Sequence, residues 1–306
     1  MSKAVRFDAY GDRDVLYVAE VEVPHATPGH VVVQVRAAGI NPGEASIRKG
    51  LLDARLPATF PSGEGSDFAG VVTEVGTGVT TFAVDDEVLG WADTRASHAE
   101  YLTTPEDHVI HKPDGLSWEV AGGLYVVATT AYAAVRAVDA GPGDTVVVSA
   151  AAGGVGSVVV QLLKVRGAEV IGIASEANHA WLRTVGVTPV AYGEGLADRI
   201  RAAAPDGVDA FIDLFGEEYV RLAVDLGVAP GRIETIIAFE AAAELGTKAE
   251  GSSTAASADV LAEMADLVAS GRITVPIAAT YPLDQVREAY ARLEDRHTRG
   301  KIVLVP

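Results

Sequence analysis

"VVVSAAAGGVGSVVVQLL", residues 146–163, decides the fold. Three valines read as a buried strand, the small residues that follow as a tight turn, and the segment from Val155 onward as a helix closed by Gly167. Ala151, Gly153 and Gly156 fall on the three positions of a G-x-G-x-x-G loop. In such a loop the second glycine lets backbone approach a pyrophosphate, and the third lets the helix pack closely on the strand. The helix N-terminus adds unpaired N–H groups and the positive end of a dipole. Ala152, Gly153, Gly154, Val155 and Gly156 are therefore the expected phosphate contacts. An alanine holds the first glycine position, so the motif rests on its context of strand, helix and second strand. A glycine-rich turn that only packs a helix onto a sheet, or a methyltransferase loop, is the competing reading.

Working outward, "EVIGIAS" (169–175) is a second strand, followed by a helix near 177–186 and the strands "DAFIDLF" (209–215) and "RIETIIAF" (232–239). This order predicts the βαβ repeat of a doubly wound parallel sheet. Residues 1–116 read differently, as short apolar strands such as Val31–Val35, Gly70–Val75 and Glu87–Gly90 between "TPG", "NPG", "PSGEG" and "GTG". "ADVLAEMADLVAS" (258–270) is amphipathic at helical spacing, and "ITVPIAATY", a helix around Val286–Leu293 and "KIVLVP" end the chain. The expectation is an α/β protein with a discontinuous β-rich domain, 1–117 with 266–306, and a dinucleotide-binding domain, 118–265. The Ala/Ser/Gly-rich stretch near 249–258 reads as a flexible surface loop.

Composition narrows the classes. The 306 residues are 49% hydrophobic, which fits a folded chain of two domains. A net charge of −18 argues against nucleic acid or an anionic membrane as partner. Neither a membrane-spanning run nor a signal-peptide core is legible, so a cytoplasmic protein is expected. Cysteine is absent, which removes disulfides, thiolate nucleophiles and thiolate metal sites.

The residue after the second strand sorts the cofactor. NAD sites usually place a carboxylate there for the ribose 2′-hydroxyl. Here Ser175 leaves room for a 2′-phosphate, with Asn178, His179 and Tyr192 as donors and Glu176 as an unfavourable neighbour. NADPH is expected over NADH.

Several motifs together resemble one family, in family order and over nearly the whole chain: "AGINPGEASIRKG" (38–50), "GSDFAGVVTEVG" (65–76), "HAEYL" (98–102), "KPDGLSWEVAGGL" (112–124), "SAAAGGVGSVVVQLLK" (149–164) and "HTRGKIVLVP" (297–306). The chain resembles the zinc-independent quinone oxidoreductase (zeta-crystallin-like) branch of the medium-chain dehydrogenase/reductase superfamily. The resemblance implies a GroES-like catalytic domain joined to a Rossmann domain, NADPH-dependent reduction of quinones, enones or enoyl thioesters, and a homodimer, for which "RIETIIAF" is a candidate pairing edge. Zinc-dependent relatives carry Cys and His where this chain has Gly43 and Ser66, and no metal site is expected. His108 and His111 read as residues that cap and solvate their segment.

Without metal or thiol, the remaining chemistry is hydride transfer from a nicotinamide to an electron-poor carbon, with donors aimed at the developing oxyanion. Many relatives have a Tyr where this chain has Ser46, a poor acid that also reads as a helix-initiating residue. Tyr125 stands where the family usually has Pro; it could donate a proton or hydrogen bond, or simply pack. The resemblance places Asn41, Thr129 or Thr130, Phe215, Phe239 and Arg299 near the cofactor, each with a packing, turn or surface alternative. Glu64 reads as a solvated loop residue. An enoyl-thioester reductase of acyl or polyketide metabolism and a non-catalytic NADPH-binding redox sensor are the alternative functions.

Overall fold

The computed structural model describes residues 1–306. They form two compact units, the first comprising 1–126, 257–269 and 277–306 and the second 127–256 with 270–276.

The first unit contains, in chain order, strands β1 (Ser2–Phe7), β2 (Tyr17–Val21) and β3 (His30–Gly39), helix α1 (Pro42–Arg48), strands β4 (Ser62–Gly63), β5 (Asp67–Val75), β6 (Glu87–Trp91), β7 (Tyr101–Pro105) and β8 (Val109–His111), and helix α2 (Trp118–Gly122). Helix α3 (Tyr125–Ala137) starts at its edge. The second unit follows with β9 (Thr145–Val148), α4 (Gly154–Val165), β10 (Glu169–Ile173), α5 (His179–Thr184), β11 (Thr188–Val190), α6 (Leu196–Ala203), β12 (Ala210–Asp213), α7 (Glu217–Asp225), β13 (Ile233–Thr235) and α8 (Phe239–Leu245). The chain then returns to the first unit through α9 (Ala258–Ala269), β14 (Ile277–Pro282), α10 (Val286–Glu294) and β15 (Lys301–Val305).

A seven-stranded sheet in the order β14-β15-β3-β5-β6-β8, with β7 also on β3, and a three-stranded sheet β2-β1-β4 build the first unit. The valines of β3 supply its centre: Val31, Val33 and Val35 pack with Phe68, Val72 and Leu102. A second core gathers Phe7, Leu16, Ile40, Tyr290 and Leu304, so that α10 closes over the start of α1. Helix α2 packs on β3 and β5.

The second unit is a five-stranded, wholly parallel sheet ordered β11-β10-β9-β12-β13. Chain direction across the sheet reverses between β9 and β12, which makes the carboxyl ends of those strands a topological switch point, where open α/β sheets bind ligands. The expected GroES-like and Rossmann-type architecture is the one observed.

Three local readings change. "RIETIIAF" is extended only to Thr235, whose hydroxyl accepts from the amides of Ile237 and Ala238 at 3.3 and 3.0 Å and turns the chain into α8. The outer side of β13 is not free for a second copy, because Lys248 N donates to Ile233 O at 2.9 Å and Lys248 O accepts from Thr235 N at 3.0 Å. The stretch near 249–258 holds a 3-10 turn at Ser252–Thr254, which Arg136 grips through Glu250 and Thr254.

Candidate active site

In the second unit, β9 ends at the sheet's centre and releases the loop 149–153. Ala150 takes a left-handed backbone (φ 46°), and its carbonyl accepts from Gly153 N at 2.9 Å, which folds the loop back before α4. A Cβ on Gly156 would stand 2.2 Å from that same carbonyl, so only glycine lets the first turn of α4 lie against the loop. The alanine at the first motif position is explained across the sheet. Ala151 is fully buried, and its methyl fills the space a side chain on Gly172 of β10 would need, 2.9 Å away. Gly153, Gly154 and Val155 remain partly exposed at the N-terminus of α4. The amides of Gly154 and Val155, with the bare Cα of Gly156 behind them, fit a dinucleotide pyrophosphate.

Beyond β10, Ala174 is buried and Ser175 half-buried, and no carboxylate occupies the strand end; Glu176 is exposed. Asn178 Nδ2 donates to Ser175 Oγ at 3.1 Å, and His179 Nε2 lies 3.3 Å from Ala174 O. Tyr192 is half-exposed on a loop that Arg199 holds by its carbonyls, Ala191 and Gly193 among them. Phe215 and Phe239 are each 38% exposed, one just past β12 and the other opening α8, rather than within strands. The expected phosphate, 175–192, Phe215 and Phe239 positions thus all follow the carboxyl ends of the parallel strands. Thr129 and Thr130 are buried in α3.

The first unit holds the remaining candidates, and there Asn41 and Glu64 belong to a buried charged network. Glu44 Oε2 accepts from Asn41 N at 2.8 Å, one half of a capping box that starts α1. Asn41 Nδ2 donates to Glu44 Oε1 at 3.0 Å and to Asp67 Oδ2 at 3.2 Å. Its carbonyl oxygen accepts from Lys301 Nζ at 2.6 Å. Lys301 spends its other two hydrogens on Ile40 O and Asp67 Oδ2, both at 3.1 Å. Asp67 Oδ1 accepts from Val126 N at 2.9 Å, in the first turn of α3. Burial pushes the Asp67 carboxyl above its usual range while Lys301 pulls the other way. Asn41 thus has every amide hydrogen committed inside this network.

Glu64 is not solvated. It is 2% exposed and pairs with the equally buried Arg48 at 2.6 Å, whose guanidinium lies over the Tyr290 ring at 4.4 Å. Burial pushes the Glu64 carboxyl up to about 7 despite Arg48. Tyr290 Oη donates to Glu44 Oε2 at 3.0 Å, joining the two halves of the network. Ser46 lies inside α1, not at its start, and donates back to Pro42 O at 3.2 Å. Tyr125 stacks face to face on Trp91 (4.5 Å between centroids, 5° between planes), and His108 covers the other face of Trp91 at 4.3 Å. Burial, then Asp93 and Asp67, raise the Tyr125 phenol, which keeps its proton through the neutral range. Arg299 is exposed.

Comparison with known proteins places this architecture. Residues 27–138 match the alcohol dehydrogenase GroES-like domain family, and residues 185–304 the zinc-binding dehydrogenase family. The quinone oxidoreductase of Pseudomonas aeruginosa is 30% identical over 100% of both chains. The chain belongs to the zinc-independent quinone oxidoreductase branch of the medium-chain dehydrogenase/reductase superfamily. A further relative, the chloroplastic NADPH-dependent alkenal/one oxidoreductase of Arabidopsis thaliana, is 30% identical over 99% of this chain and 79% of its own. The solved quinone oxidoreductase of Coxiella burnetii superposes with a TM-score of 0.90 at 30% identity, covering 100% of this chain and 99% of that one. As a medium-chain oxidoreductase, the protein uses a nicotinamide cofactor. None of its helices is long and apolar enough to cross a membrane.

Proposed function

We propose that this oxidoreductase reduces quinones or α,β-unsaturated carbonyls with NADPH and without zinc. The observation that carries the cofactor half is the strand end after β10, where Ser175 and Asn178 stand in place of a carboxylate that would repel a 2′-phosphate. The P. aeruginosa relative is a quinone oxidoreductase and the A. thaliana relative an alkenal/one oxidoreductase, which supports the acceptor class.

The α4 amides, with Gly156 behind them, hold the pyrophosphate; Ser175, Asn178 and Tyr192 take the 2′-phosphate end; Phe215 and Phe239 border the other half. Bound NADPH supplies the hydride. Tyr125 Oη keeps its proton at neutral pH and offers it as a hydrogen bond to the oxygen on which negative charge builds. Ser46 is the weaker donor, since its hydroxyl hydrogen already serves Pro42 O. Asn41, fully committed, shapes the loop instead of contacting ligand.

A homodimer in the cytoplasm completes the reading; because β13 is already paired on its outer side, a dimer joins through another surface. Spectrophotometric assay of NADPH oxidation with quinones, enals and enoyl thioesters tests the proposal. Turnover with quinones or enals supports it; NADPH binding with no acceptor reduced overturns it.

A further inference from the structure

Asp213 is the last residue of β12, beside β9 at the switch point, and it is fully buried. No cation faces it. Its Oδ1 accepts from Ser149 Oγ at 2.8 Å, Phe215 N at 2.9 Å and Gly216 N at 3.2 Å. Its Oδ2 accepts from Thr235 Oγ1 at 2.8 Å. Each hydroxyl that donates to Asp213 in turn accepts from a loop amide: Ser149 Oγ from Leu214 N at 2.7 Å, and Thr235 Oγ1 from Ile237 N and Ala238 N. One carboxylate therefore ties together the exits of three adjacent strands. These are the start of the phosphate loop, the turn that carries Phe215, and the turn that leads to Phe239.

We propose that Asp213 is a positioning residue that sets the loops carrying Phe215 and Phe239 around the nicotinamide half of the cofactor, acting through Ser149 and Thr235. This rests on the reading of the protein as an NADPH-binding reductase. The chemistry requires a carboxylate. An amide at 213 has only one acceptor oxygen, and its NH₂ would meet either the donors on Oδ1 or the Thr235 hydroxyl, whose lone pairs are already used by two amides. Burial raises the Asp213 carboxyl and the four donors oppose that rise, as expected for a charge held by hydrogen bonds alone. The phosphate loop also has supports that do not involve Asp213, namely the Ala150 carbonyl, the Gly156 contact and the Ala151 N bond to Ile173 O at 3.0 Å. Loosening the Asp213 cluster should therefore affect the two phenylalanine loops more than the adenosine end.

The test compares dissociation constants for NADPH and for 2′,5′-ADP, which carries only the adenosine and phosphate end. Measurements are made on wild type, Asp213→Asn, Thr235→Val and Thr235→Ser. The expected result is NADPH binding weakened about tenfold or more in Thr235→Val and Asp213→Asn, from the loss of a hydrogen bond to a charged group. Binding of 2′,5′-ADP stays near the wild-type value, and Thr235→Ser, which keeps the hydroxyl, restores NADPH affinity. Should Asp213→Asn not fold, the Thr235 pair carries the test. Equal loss for both ligands, or no loss for either, overturns the proposal. Wild type that binds 2′,5′-ADP and NADPH equally poorly overturns the underlying cofactor reading instead, and the inference with it.

Discussion

Lys301 Nζ lies 3.1 Å from Asp67 Oδ2, with both side chains buried, and the pair links the last strand of the chain to the loop before α1 and the first turn of α3. Removing one partner of such a pair strands a charge where water cannot reach it. Lys301→Met is expected to destabilise the protein by about 3–5 kcal/mol, read as a shifted denaturant midpoint. Arg299, two residues earlier and exposed, should tolerate the same change with little loss of stability.

The Glu64 carboxyl carries a pH signature. Its value is 4.5 in an ordinary setting and about 7 when folded. Because the folded state holds the proton more tightly, this stabilising contribution is fully present below pH 4.5 and is lost as pH rises toward 7. Denaturation of wild type and Glu64→Gln across that window should show wild type losing stability relative to the variant as pH rises. A difference that stays flat, or grows with pH, would contradict the burial argument.

Gly156 and Gly153 separate two roles within one motif. A Cβ on Gly156 meets the Ala150 carbonyl at 2.2 Å, whereas on Gly153 the nearest atom is 3.3 Å away. Gly156→Ala should cost about 1–3 kcal/mol through forced backbone movement and weaken NADPH binding; Gly153→Ala should cost less on both counts. Chemical denaturation and a fluorescence titration read the two effects.

Much of the fold was legible because its signals are local. Valine runs, glycine spacing and the strand-helix alternation of 145–239 each lie within a few residues of one another. The buried network was not legible, because its partners are distant in sequence: Lys301 and Asn41 stand 260 residues apart, and Lys301 and Asp67 stand 234 apart. Glu64 looked solvated since glycine and serine surround it, and only Arg48 and Tyr290 reveal its burial. Ala151 departs from the glycine pattern of the phosphate loop, and the reason, Gly172 opposite its methyl, lies on the neighbouring strand. "RIETIIAF" looked like one strand because side-chain capping by Thr235, which ends it early, leaves no mark on a hydropathy pattern. Asp213, at the end of an apolar strand, carried no motif at all.

Tyr125 and Ser46 are distinguished by where their hydroxyls point their chemistry. Tyr125→Phe keeps the ring stacked on Trp91, so melting should change little, while kcat should fall by about a hundredfold if the phenol serves the developing oxyanion. Ser46→Ala removes only a bond back to Pro42 O and should leave kcat near wild type. Equal, small effects of both variants would leave water as the proton source.

The most direct test of the account is the rate of NADPH oxidation by chelator-treated protein with a quinone and an enal as acceptors, using cofactor deuterated at the transferred position. Saturable turnover, with deuterium appearing in the reduced enal and no loss of rate after chelation, is the result predicted. Tight NADPH binding without transfer of deuterium to any acceptor, or activity that disappears with the chelator, would contradict it.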